Sequence, residues 1–241
     1  MQSDPQIIKP ARTTNRATKI AALVIGAIML LVSFGLLVGG GALYYVNTSL
    51  TDSQGFISST PQDFTSASYA IASQGVSMNL GMATDLGLWK TWMTDLIKVR
   101  ITALSNNPSE NVFIGVVKES DAQTYLNNVS YDEIVKLNIN PSKTLDVQYM
   151  PHQGTAPTVP LSKTFWVLSA HGTGTQTLQW TPRNGTYRII LMNEDGSAGI
   201  NHNVSLAAQI PLLSTISIAL LIAGIVGLVA GSIIVYYGAR R

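Results

Sequence analysis

The 241-residue sequence predicts a mainly β fold, an extracytoplasmic antiparallel β-sandwich inserted between two transmembrane α-helices. Three observations carry that prediction. Two uninterrupted apolar runs, Ile20 to Val46 and Leu212 to Tyr237, stand near the two ends, and at ~1.5 Å per residue each can cross a ~30 Å hydrocarbon core. The stretch between them breaks into short segments of alternating polarity, divided by Pro, Gly and Asn. Cysteine is absent, so a domain in that compartment must draw its stability from a packed core and not from disulfides.

Charge sets the expected orientation. Residues 1–19 form a tail with Lys9, Arg12, Arg16 and Lys19, and residues 238–241 a second tail with Arg240 and Arg241. Between them nine Lys and Arg face twelve Asp and Glu, so the middle is mildly acidic. The positive-inside bias then places both termini in the cytoplasm of a cell membrane and the central domain outside. The overall formal charge of +2 is thus a topology signal and gives no indication of a nucleic-acid partner. The first span, 20–46, is longer than the 7 to 15 residues of a signal h-region, which favours an uncleaved anchor. Tyr44 and Tyr45 mark its outer interface, and Tyr236 and Tyr237 the inner interface of the second span, 209–237.

Residues 47–67, rich in Ser, Thr, Gly and Gln, read as a stalk or loop. The sandwich is expected over 68–208, with strands at Tyr69–Ser73, Val76–Leu80, Lys98–Ala103, Val112–Val117, Asp146–Tyr149, Phe165–Ser169, Thr175–Trp180, Thr186–Met192 and Asn203–Ala208. In Thr186–Met192, Tyr187, Ile189 and Leu191 alternate with Thr186, Arg188 and Ile190, the period of a strand with one dry face. Two stretches read as helix: Asp121–Asn127 behind a Ser120 N-cap, and Leu86–Ile97, a lid on the sandwich or an interfacial helix at the membrane.

Chemistry-bearing motifs are few. Trp180 and Tyr187 flank the polar turn of Pro182, Arg183, Asn184 and Gly185, a predicted β-hairpin. With Trp166 they form the candidate ligand-stacking set, a platform for a cell-wall polymer if exposed and core if not. Asn193 to Ser197 reads as an Asp-Gly turn and lacks the closing Glu of a calcium loop. His152, His171 and His202 are far apart and carry no zinc spacing. Ser169 and His171 do not by themselves make a nucleophile and base, and Asp132 and Glu133 diverge as neighbours. Neither a phosphate-binding loop nor a dinucleotide fingerprint occurs, so no cofactor or metal is expected. Inside the bilayer, Gly35 and Gly39 on the first span and Gly224, Gly227 and Gly231 on the second give a candidate helix-packing seam, between the two spans or between copies of the chain.

The segments SYAIAS (68–73), VRITALS (99–105), VFIGVVKESDAQTYLNNVSYDEI (112–134), FWVLSAHGTGTQTLQW (165–180) and GTYRIILMNEDGSAGI (185–200) resemble an uncharacterised family of bacterial, largely actinobacterial, membrane proteins. That resemblance implies an extracytoplasmic β-rich domain beside membrane helices, with no catalytic residues to carry over. The expected function is a non-enzymatic binding or interaction module, an accessory subunit or envelope component held in the lipid bilayer. The alternatives are a carbohydrate-binding module for the cell wall and a membrane-tethered hydrolase using His171.

Overall fold

The computed structural model describes residues 16–78, 97–140 and 142–240. They divide into a helical unit, residues 16–49 and 212–240, and a β-rich unit within Leu50–Pro211.

The helical unit pairs α1 (Arg16–Ser49) with α3 (Leu212–Ala239). Both are long and apolar enough to cross a membrane. Their shared seam is built from small residues: Gly26, Ser33 and Gly40 are buried on α1, and Ser217, Gly224, Gly227, Gly231 and Gly238 on α3. Within each helix these positions recur every seven residues, with Gly227 added on α3, and a strict seven-residue repeat keeps one stripe turned toward a partner helix. A Cβ on Gly224 would lie 2.7 Å from Leu37 Cγ, and one on Gly227 would collide with Ser33 Oγ. The buried hydroxyls are satisfied locally, Ser33 Oγ donating to Met29 O and Ser217 Oγ to Ser214 O. Gly35 and Gly39 do not belong to this seam, and a Cβ at either meets nothing within 4 Å. At ~100° per residue, Gly35 sits ~200° around the helix from Ser33, so of the five predicted glycines Gly224, Gly227 and Gly231 line the seam between α1 and α3, and Gly35 and Gly39 do not.

In the β-rich unit twelve described strands make two sheets. They are β1 (Ile57–Ser58), β2 (Gln62–Ser66), β3 (Ala70–Ser73), β4 (Val76–Met78), β5 (Lys98–Ser105), β6 (Val112–Lys118), β7 (Tyr131–Ile139), β8 (Leu145–His152), β9 (Leu168–Gly172), β10 (Gln176–Trp180), β11 (Gly185–Asn193) and β12 (Ile200–Gln209). The first sheet runs β1-β12-β5-β10, with β2 also on β12; the second runs β8-β7-β3-β11-β6-β9, with β4 also on β11. All described pairings between strands are antiparallel except β3 with β7, where Ile71 meets Asp132. Residues 47–67 therefore do not form a stalk: β1 and β2 are hydrogen-bonded to β12, because Phe64, at the centre of β2, belongs in the inter-sheet core.

That core holds Ile71, Ile101, Ile114, Leu178, Ile200 and Val204 among others. The second sheet is dry on its other face as well. There Phe113, Val117, Ile190 and Met192 pack under Ala122, Tyr125 and Leu126 of α2 (Glu119–Leu126) and under Trp166. This explains why β6, VFIGVVK, is buried at six successive positions, the signature of a strand covered on both sides. The helix begins at Glu119, with Lys118 at the N-cap and no side-chain cap, not behind Ser120. The ninth strand lies three residues later than predicted, since Phe165 and Trp166 turn inward to roof the second sheet. The anticipated helix or lid at Leu86–Ile97 lies, but for Ile97, outside the described residues.

Candidate functional site

The predicted stacking residues do not share a surface. Trp180 ends β10 of the first sheet and Tyr187 belongs to β11 of the second. Their rings meet edge to face at 5.0 Å across the inter-sheet gap, where they are 7% and 8% exposed. The turn between them is thus an arch joining two sheets and not a hairpin, because two large apolar rings gain more by closing the core than by flanking a ladder. Trp166 lies on the opposite face of the second sheet, against Phe113, Tyr125 and Phe165. Its indole N–H donates to Pro160 O at 2.9 Å. It covers Gly115, where a Cβ would come within 2.5 Å of the indole. No platform can be assembled from residues separated by a sheet.

Polar groups do converge on that same outer face, alongside α2. Arg188, on β11, donates from Nε and Nη2 to Glu119 at 2.8 and 2.9 Å, and from Nη1 to Glu133 at 3.0 Å. The second contact reaches across β3, the strand between β11 and β7. The Arg188 and Glu133 side chains are 13% and 9% exposed. Glu133 Oε2 accepts from His152 Nε2 at 3.0 Å, and the His152 ring stacks on Tyr131, centroids 4.4 Å apart and planes 3° from parallel. Arg188 holds the Glu119 carboxyl below its ordinary value, and Glu119 in return raises the guanidinium further. Burial first, then the Glu133 charge, pushes the Tyr131 hydroxyl up.

Beside this network opens a cleft of about 270 Å³. Arg188, Tyr131 and His152 form its inner wall, and Gln123, Asn127, Asn128 and Gln153 stand around it. The cleft is not legible in the sequence because its parts lie on α2, β7, β8 and β11. The legible signals were Arg188 on an otherwise apolar strand face and Glu133, whose divergence from Asp132 is what turns it inward to the outer-face network.

The remaining candidates occupy other places. His171 Nδ1 pairs with Glu194 Oε1 at 2.7 Å, and Glu194 Oε2 accepts from Asn111 at 2.6 Å. The His171 ring therefore has an acidic partner, yet among the described residues no hydroxyl is hydrogen-bonded to its other nitrogen. Asp195 caps its own turn by accepting from Ser197 N at 2.9 Å, which lowers its pKa. With Glu194 committed to His171 and Asn111, the two acids of this turn do not converge on a cation. His202 is wholly buried; burial lowers its pKa, and Nδ1 has no hydrogen-bond partner among the described residues. Among the described residues no three His, Asp or Glu side chains gather as a metal site.

The chain matches no family profile and no curated protein. Among solved structures it is similar to CorA, described as a surface-associated copper-binding protein important in copper acquisition by Methylomicrobium album BG8, at 12% identity and a TM-score of 0.26 over 67% of this chain and 96% of that one. A chain of black queen cell virus is similar at 10% identity and a TM-score of 0.25, over 63% and 67%. At those scores neither likeness carries fold or function across. The residues themselves define a class: a two-sheet β-rich domain flanked in sequence by two apolar helices.

Proposed function

We propose that this chain is a membrane-anchored, non-enzymatic binding module, an accessory subunit or envelope component whose β-rich domain faces outward while both termini lie in the cytoplasm. One observation carries the reading: the cleft at the end of α2 is a preformed concavity whose ionic groups are locked by one another. Catalytic acids and bases need a proton-transfer atom open to substrate, whereas a recognition site needs a rigid frame that holds its contact groups still. The Arg188 network supplies the frame. The basic tails and acidic middle support the orientation, and the open Gly35 and Gly39 face of α1 offers a second helix, from another membrane protein or another copy, a close approach. The resemblance to actinobacterial membrane proteins agrees with an envelope role.

The test is site-directed photocrosslinking in intact cells. A photoreactive residue at Gln153, on the cleft rim, should yield a discrete adduct, while one at Leu104, exposed on β5 of the first sheet, should not. No adduct at Gln153, or equal labelling at both, overturns the assignment of the cleft. Protease added to intact cells should cut the central domain; its survival there, with cleavage after lysis, overturns the orientation.

A further inference from the structure

The charges around the cleft consume one another. Glu119 Oε1 accepts from Gln123 and Arg188, and its Oε2 from Arg188. Glu133 Oε1 accepts from Arg188, and its Oε2 from His152. A carboxylate only accepts, so His152 Nε2 bears the proton in that bond. All four carboxylate oxygens are thus engaged, and a cation would have to compete with the guanidinium that already neutralises them. Arg188 has each of its three side-chain nitrogens committed, so an incoming anion would meet a guanidinium already flanked by two negative charges.

What stays open is uncharged. The side-chain amides of Asn127, Asn128 and Gln153 have no hydrogen-bond partner among the described residues, and Gln123, which spends its amide N–H on Glu119, keeps its carbonyl oxygen. Each free amide offers a donor and an acceptor side by side, the pattern that adjacent hydroxyl groups complement. Next to them the Tyr131 and His152 rings are stacked face to face, and the outer face of such a stack is a flat, polarizable surface against which the C–H face of a sugar ring can pack. The volume, about 270 Å³, falls just below the ~300–1,000 Å³ of sites for drug-sized ligands, which suits one or two ring units of a chain that continues into solvent.

We propose that this cleft recognises an uncharged saccharide, its hydroxyls on the amide fan of Gln123, Asn127, Asn128 and Gln153 and its ring against the Tyr131 and His152 pair. The proposal rests on the binding-module reading and names its ligand class.

Saturation-transfer NMR on the full chain in nanodiscs tests it, with cellobiose, maltose and N,N′-diacetylchitobiose as neutral probes and galacturonic acid and glucosamine as charged counterparts. At least one neutral disaccharide should show transfer that is unchanged between about 50 and about 500 mM salt, since no charged contact is made. Asn127→Ala/Gln153→Ala, at two exposed positions, should weaken it about tenfold or more with the melting temperature unaltered. No transfer to any neutral probe, stronger transfer to a charged one, marked salt dependence, or full binding by the double variant each overturns the proposal. Should Gln153 crosslink in cells while no neutral saccharide binds, the ligand class fails and the binding module stands. Absence of the adduct removes both.

Discussion

Replacing Arg188 by Met tests whether the cleft frame is held by compensated charge. The substitution keeps a long apolar stem but leaves Glu133, 9% exposed at its side chain, with His152 alone, while Glu119, at 23%, can recover water. Removing one partner of a buried ion pair costs ~3–5 kcal/mol, mostly because the other charge stays buried without compensation. One of the two acids here rehydrates, so the low end, ~3 kcal/mol, applies. In a domain of this size each kcal/mol moves the melting temperature by ~2–4 °C, which gives a fall of ~6–12 °C. Thermal unfolding of the full chain in detergent, followed by near-ultraviolet circular dichroism, reads that loss directly. The stranded Glu133 charge also fixes the rescue: Arg188→Met/Glu133→Gln, which deletes it, should regain more than half of the loss, and Arg188→Met/Glu119→Gln markedly less. A fall below ~1 kcal/mol, the range of an exposed pair, or equal rescue by both acids, would refute the reasoning.

Trp180→Ala should lower stability by ~3–5 kcal/mol, as large core truncations do, with the Tyr187 edge contact adding to the loss; an unchanged melting temperature would place Trp180 on the surface after all. Ser33→Cys/Gly227→Cys should close a disulfide without added catalyst, because the two Cβ positions lie 3.2 Å apart, near the ~3.5–4.5 Å a disulfide spans. Faster migration on a non-reducing gel would report it in this cysteine-free chain, and failure under oxidant would contradict the α1 and α3 register. Acid should weaken the β-rich unit in two stages. His202 has a lowered pKa, so its contribution is complete above the ordinary value of 6.5 and declines as pH falls below it. Glu119 is likewise lowered, and its contribution fades below about 4.5. In His202→Leu the loss between pH 6.5 and 5 should disappear, and a persisting slope would assign it to another group.

Much of the strand content was legible because period-two alternation survives wherever one face of a strand is wet. Asn203 to Ala208 lies inside an observed strand for that reason, whereas Thr186 to Met192 alternates only over its first half and is buried on both faces from Ile190 to Met192. The stretches misread were those whose partners lie far away in sequence. The segment with Phe64 looks like linker by composition and becomes strand only because β12 is there to pair with it. β7 carries a bulge between Ile134 and Lys136 that interrupts its alternation. The arch from Trp180 to Tyr187 has the length of a hairpin loop, and only inter-sheet packing decides that its arms belong to different sheets.

The sequence alone determined what depends on runs and periods: two spans able to cross a bilayer, a cysteine-free β-rich domain between them, and the charge asymmetry that suggests their orientation. The tertiary structure decided what depends on which residues meet. It chose Ser33 and Gly40 over Gly35 and Gly39 for the seam of α1, since helical phase against α3 sorts small residues into facing and open ones. It buried Trp180 and Tyr187, set Trp166 on the far side of a sheet, and brought Glu119, Glu133, His152 and Arg188 together from four elements. Periodicity is a property of neighbours along the chain, whereas a site is a property of neighbours in space, and sheet order is the step that converts one into the other.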